Sequence, residues 1–262
     1  MARSRQKSVR PVVAVLMGVA WAALVVGAVR AGPVEAVAVL IPVGVVASVS
    51  AVRAVSGAGK PRSHGSRTGP GILTMAPRLG VALVAPVVLP LAAVAGPVPA
   101  VIAAILVAAG GGAILLATGS GGLFLRLMVA VLAPSVAGMS VVLARSQGSR
   151  EAVALIAAVC GYDMAAFVFG TGRGALGGPA GAAVGILTVA VVAVFVAATV
   201  VPPFSGDRPW IMFGLLAVLA PAGVGLIGGV VSGARLPALR RLDSLALSGP
   251  AWVISASIVL HR

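Results

Sequence analysis

Nine apolar runs, each close to the ~20 residues that an α-helix needs to cross a bilayer, follow one another along this chain. They occupy 11–29, 31–52, 79–95, 99–118, 123–144, 151–171, 180–200, 210–234 and 245–260, with breaks rich in Gly, Pro, Ser and Arg. Hydrocarbon offers nothing to hydrogen-bond a backbone, so each run must satisfy its own N–H and C=O groups and therefore coil into a helix. With 60% hydrophobic and 9% charged residues and a mean hydropathy of +1.16, no soluble domain can be cut from the chain. The longest polar stretch, 53–78, has too few apolar residues to bury a core of its own.

The expected fold class is all-α, a polytopic membrane helix bundle of about nine transmembrane helices in a single integral membrane domain. Residues 1–10 form a basic cytoplasmic N-terminus, 11–118 hold four spans with a cytoplasmic loop at 53–78, and 119–262 hold five. Eight spans would result if the last run only re-enters. The first run is long for a signal-peptide core and is followed by no clean small-x-small cleavage site, so it reads as a retained span.

Net charge is +14, from 17 Arg and 2 Lys against 5 acids. In a soluble chain that balance would suggest nucleic acid. Here the cause is membrane topology, because cytoplasmic loops collect basic residues and face anionic headgroups, and no nucleic-acid partner is expected. With the N-terminus inside, 14 basic residues fall on the cytoplasmic side and 5 outside, which supports nine spans in a multi-pass inner (plasma) membrane protein. Phe204 and Trp210 then fall at the outer interface, where aromatic belts belong. Cys160 has no disulfide partner, and His64 and His261 lie far apart with no Cys neighbours, so a zinc site is excluded. Glycine runs at 110–112, 181–185 and 225–233 supply small residues at helical spacing for close helix packing.

Motif searches mostly fail. Residues 57–61, GAGKP, imitate a phosphate loop but lack its first glycine and have Pro where Ser or Thr would bind magnesium. The turn at 170–174, GTGRG, has no strand before it, and neither histidine has an acid near it in the layout, so no Ser/His/Asp set exists. What remains is a pair of acids. Glu35, Glu151 and Asp207 fall at outer ends or loops, where a solvated role is the default. Asp163 lies in the middle of an apolar run, where an ionised carboxylate costs roughly 2.5–3.5 kcal/mol or more. It must therefore face a bundle interior, a wet cavity or a cation. Asp243 opens the last run, just after Arg240 and Arg241. Two carboxylates beside a basic cluster can hold a divalent cation and a phosphate-bearing ligand. Equally, Asp163 can be a hydrogen-bonding post between helices, and Asp243 a helix cap paired with an arginine.

The C-terminal half, about 123–262, resembles the phosphatidate cytidylyltransferase (CDP-diacylglycerol synthase) family. VLARSQGSREAVALIAAVCGYD at 142–163 looks like the span leading into that family's Ser-Asp-Thr element. Tyr162-Asp163-Met164 through Phe167 and Gly170 stand where the family has SDT, an aromatic and a glycine. Arg241-Leu242-Asp243-Ser244-Leu245 resembles the DRLDSL core of its C-terminal signature. The resemblance implies a phospholipid-biosynthesis enzyme that joins CTP to phosphatidate with Mg²⁺, releasing pyrophosphate and CDP-diacylglycerol. It puts Asp163 and Asp243 on the catalytic, metal-associated positions, and Arg173, Arg235, Arg240 and Arg241 are the residues available to bind substrate phosphates. Expected partners are membrane lipids, phosphatidate and CTP, with a homodimer allowed. The chain departs from the family at four places, one of them the absence of its His-Gly-Gly. Residues 173–179, RGALGGP, lack the lysines and glutamate of the loop after the sixth span. Residues 228–235 lack the acid of the run before DRLD, and Arg241 replaces its first Asp.

Overall fold

In a computed structural model the described residues are 11–58, 72–118, 121–169, 178–230 and 239–260, and they are helical almost throughout with no strand among them. The helices are α1 (Pro11–Ala31), α2 (Pro33–Ala58), α3 (Ile72–Val94), α4 (Pro97–Leu106), α5 (Gly112–Thr118), α6 (Gly121–Gln147), α7 (Ser149–Phe169), α8 (Gly178–Thr199), α9 (Arg208–Val230) and α10 (Leu239–Val259). A π-helical turn at Val107–Gly111 joins α4 to α5 in one continuous rod. Eight rods among the described residues are long and apolar enough to cross a bilayer, with the shorter apolar stretch Gly18–Ala31 in α1 beside them. The chain is an all-α polytopic membrane helix bundle. The last rod is among the eight, so a re-entrant C-terminus is not needed to explain its length.

Helix α6 is the central post. It packs against α2, α3, α7 and α10, and 78% of its apolar window is buried, against 28% for the α4–α5 rod and for α8. One group, α2, α3 and α6, interlocks through proline rings set into glycine notches. Gly44 faces Pro86, and Gly138 faces Pro90 and Leu40. A second group, α7 to α10, assembles on the other flank, where α10 packs on α9, α6 and α7, and α7 on α8 and α1.

Two helix junctions share one device. Gly32 alone separates α1 from α2, and Gly148 alone separates α6 from α7, each bonded to the turn before and the turn after. In each, the glutamate three residues on (Glu35, Glu151) folds back over the glycine, where a Cβ would collide with its carboxylate. A first-turn acid reaching back in this way complements the positive end of the helix.

Four expectations need correction. Helices α2 and α3 extend to Ala58 and from Ile72, so the polar 53–78 stretch is partly helical. Arg78 is buried in α3, where its guanidinium donates to the carbonyl and hydroxyl of Thr118 and, over 3.4 Å, to Ser56 Oγ. Glu151 is buried rather than solvated, because its folded-back position tucks it under the junction. Trp210 is exposed. Phe204, however, is fully buried, with its ring centroid 6.2 Å from both Phe213 and Trp252. In the 225–233 glycine run, Gly225 has nothing within 4 Å and the packing of the other glycines lies outside the described set, while Gly223 just before it makes a close approach.

Candidate carboxylate site between α7 and α10

The buried stripe of α7 runs through Ala152, Leu155, Ile156, Val159, Asp163 and Ala166, the three- and four-residue spacing of one helix face. Apolar burial of this face carries Asp163 inward with its neighbours. Its exposure is 5%, so it does not face acyl tails. Tyr162 beside it is also buried, and Gly185 of α8 makes room for its ring. A Cβ at Gly185 would stand 2.6 Å from the Tyr162 ring carbons.

Helix α10 meets this face with its N-terminal turns. Ser244 is fully buried, and its Oγ donates to Asp163 Oδ2 at 3.0 Å. Asp243, the neighbouring residue on α10, is buried too, at 7% exposure. Ser244, 81 positions along the chain, thus bonds to Asp163 inside an apolar bundle, and Asp243 is buried next to it on α10. A hydrogen bond to an ionised carboxylate is worth about 1.5–3 kcal/mol where its partners are buried, so Ser244 offsets part of what Asp163 costs.

Two close backbone approaches hold α10 at this position. A Cβ on Gly223 of α9 would lie 2.5 Å from the Asp243 carbonyl oxygen, and one on Gly249 would lie 2.7 Å from Ser140 Cβ of α6. Ser248 Oγ returns to the Ser244 carbonyl at 2.6 Å, one turn into the same helix. A small apolar cavity begins one turn from Asp163. Its walls include Trp21, Leu40, Val159, Cys160, Leu242 and Leu245.

The oxygen-bearing side chains here are those of Asp163 and Ser244, with Asp243 next along α10. Among the described residues no group of three or more His, Cys, Asp or Glu side chains could enclose a metal. A Mg²⁺ ion held there would need waters and ligand phosphates to complete its shell. Of the four arginines singled out in the sequence, Arg173 and Arg235 lie outside the described residues. Arg240 and Arg241 fall in the first turn of α10, and their side chains also lie outside the described set. Sequence reasoning quoted Tyr162 and Ser244 within the family-like segments without giving either a role, and it passed over Gly223. Ser244 carried a further signal, a hydroxyl next to Asp243 at a helix start, whereas Gly223 carried none.

No family model, curated protein or solved structure matches this chain.

Proposed function

We propose that the protein is a phosphatidate cytidylyltransferase-like membrane protein of phospholipid biosynthesis, working at the pocket of Asp163, Asp243 and Ser244. In the reaction, a phosphatidate phosphate oxygen attacks the α-phosphorus of CTP. The bond to the β-phosphate breaks, pyrophosphate leaves, and CDP-diacylglycerol forms. Asp163 and Asp243 would hold Mg²⁺, which neutralises phosphate charge and orients the two phosphates. Arg173, Arg235, Arg240 and Arg241 would supply the cationic clamp. Ser244 keeps Asp163 oriented by its 3.0 Å hydrogen bond. The observation that supports the reading is the hydrogen bond from Ser244, in the segment around Asp243, to Asp163, which joins the two family-like segments in the bundle interior.

A second reading is a non-enzymatic protein that keeps the pocket for an anionic lipid or a protein partner. What favours it is the thin complement of cations: the loop at 173–179 contains one arginine and no lysine or glutamate. A transition state that spreads negative charge over several phosphate oxygens needs more donors aimed at it than binding does.

One experiment separates the two. Purified protein in mixed micelles is given labelled CTP, phosphatidate and Mg²⁺, beside the Asp163→Asn and Asp243→Asn variants. Product from the parent chain, lost by at least 100-fold in both variants (~3 kcal/mol), supports transfer. No product, with saturable and salt-sensitive phosphatidate binding, supports the second reading. Neither product nor binding rejects both.

A further inference from the structure

Five prolines lie inside the three helices that interlock through proline rings and glycine notches: Pro42 in α2, Pro77, Pro86 and Pro90 in α3, and Pro134 in α6. Each lacks an N–H and so releases the carbonyl four residues before it. For Pro86 and Pro134 the released carbonyls belong to Ala82 and Ala130, which are 0% and 1% exposed. In hydrocarbon such groups must find another donor.

The glycine notches fix how these helices are aligned. Gly44 stands at the level of Pro86, with the Pro134 carbonyl 4.0 Å away. One turn along, Gly138 meets Pro90 and Leu40. Stepping from 86 to 90 and from 134 to 138 therefore corresponds to stepping back from 44 to 40, so α2 runs opposite to α3 and α6. One turn in the other direction brings Ser48, Ala82 and Ala130 to a common level.

Ser48 is fully buried, and its Oγ has no hydrogen-bond partner among the described residues. Other helical hydroxyls here return to their own backbone, as Ser50 does to Val46, Ser135 to Val131 and Ser140 to Val136. Ser48 does not. Side chains lean toward the N-terminus of their helix, while helix carbonyls point toward the C-terminus. With α2 antiparallel to its neighbours, the Ser48 hydroxyl and the Ala82 and Ala130 carbonyls all lean toward the Gly44 level.

We propose that these three groups bind one water molecule in the membrane interior, bridging α2, α3 and α6. It accepts from Ser48 and donates to the Ala82 and Ala130 carbonyls, three hydrogen bonds being the usual number for a buried water. A cation fits the same oxygens poorly. No carboxylate belongs to the set, and the buried guanidinium of Arg78 lies one turn along α3 from Ala82. The water joins the proline-bearing turns of α3 and α6 to α2 through a partner that can exchange, at a distance from the carboxylates of α7 and α10.

The test is the sign of a stability change in the full-length protein. With water bound, Ser48→Ala strands two carbonyls, and the melting temperature should fall by about 2–4 °C or more. Without it, the substitution removes only an unsatisfied hydroxyl, and the melting temperature should hold or rise. An unchanged or raised value overturns the proposal. Pro86→Ala restores an N–H for the Ala82 carbonyl, so the loss caused by Ser48→Ala should shrink in that background. Equal losses in the two backgrounds also overturn it. Phosphatidate binding is expected to be unaffected by either change.

Discussion

The approach of α9 to α10 gives the sharpest test of how the acid pocket is held. Gly223→Ala would put a methyl group 2.5 Å from the Asp243 carbonyl oxygen and 3.5 Å from that of Ser244. Ordinary carbon–oxygen contact is about 3.3–3.6 Å. The colliding atom is main chain, so no rotamer change can relieve it, and α10 must move by about 1 Å. Such a shift stretches the 3.0 Å bond from Ser244 to Asp163 toward 4 Å, past hydrogen-bonding range. Overpacking costs roughly 1–3 kcal/mol, and a lost bond to a buried carboxylate about 1.5–3 kcal/mol. At 2–4 °C per kcal/mol the melting temperature should drop on the order of 10 °C. The assay is thermal unfolding of the purified protein in detergent, followed by circular dichroism, with Gly225→Ala as the control. Gly225 has nothing within 4 Å, so its variant should match the parent or gain slightly from better helix propensity. If Gly223→Ala melts with the control, the packing argument for the pocket is wrong.

Two further outcomes follow from other contacts. Arg78→Lys keeps the charge but cannot reach Ser56 and both Thr118 oxygens from one ammonium group, and should cost on the order of 2–4 kcal/mol in chemical denaturation. Parity with the parent would show that the guanidinium fork is dispensable. Gly185→Ala drives a methyl group into the Tyr162 ring at 2.6 Å and should destabilise by about 1–3 kcal/mol. The double variant Gly185→Ala/Tyr162→Leu should recover part of that loss, and no recovery would place the strain elsewhere.

The fold was legible because the bilayer imposes one rule that a run of about 20 apolar residues cannot evade. Span positions could be read to within a few residues at α4–α5, α7 and α8. Boundaries failed where charged residues belong to helices. Arg53 and Arg78 read as loop, yet Arg53 extends α2 with its side chain exposed, and Arg78 is buried because Ser56 and Thr118 supply acceptors. No composition rule anticipates such partners. Phe204 failed for a related reason. An aromatic residue at a span end suits either an interface or a cluster, and only the approach of Phe213 and Trp252 selects the cluster.

The site was half legible, and the division has a physical cause. A carboxylate within an apolar run announces itself through its transfer cost, so Asp163 could be read from sequence alone. The groups that aim it could not, since they act by being small. Gly223, Gly249 and Gly185 look like any other member of a glycine-rich membrane chain, and what distinguishes them is the neighbour each admits: the Asp243 carbonyl, Ser140 and the Tyr162 ring. Helix α10 is thus set against α9 and α6 by backbone approach, and the Ser244–Asp163 bond forms on a frame already fixed. Mobile side chains alone would leave the pocket to be organised by its ligand. Glycine contacts keep Asp163 and Ser244 in register beforehand, as the proposed nucleotidyl transfer or headgroup binding would require.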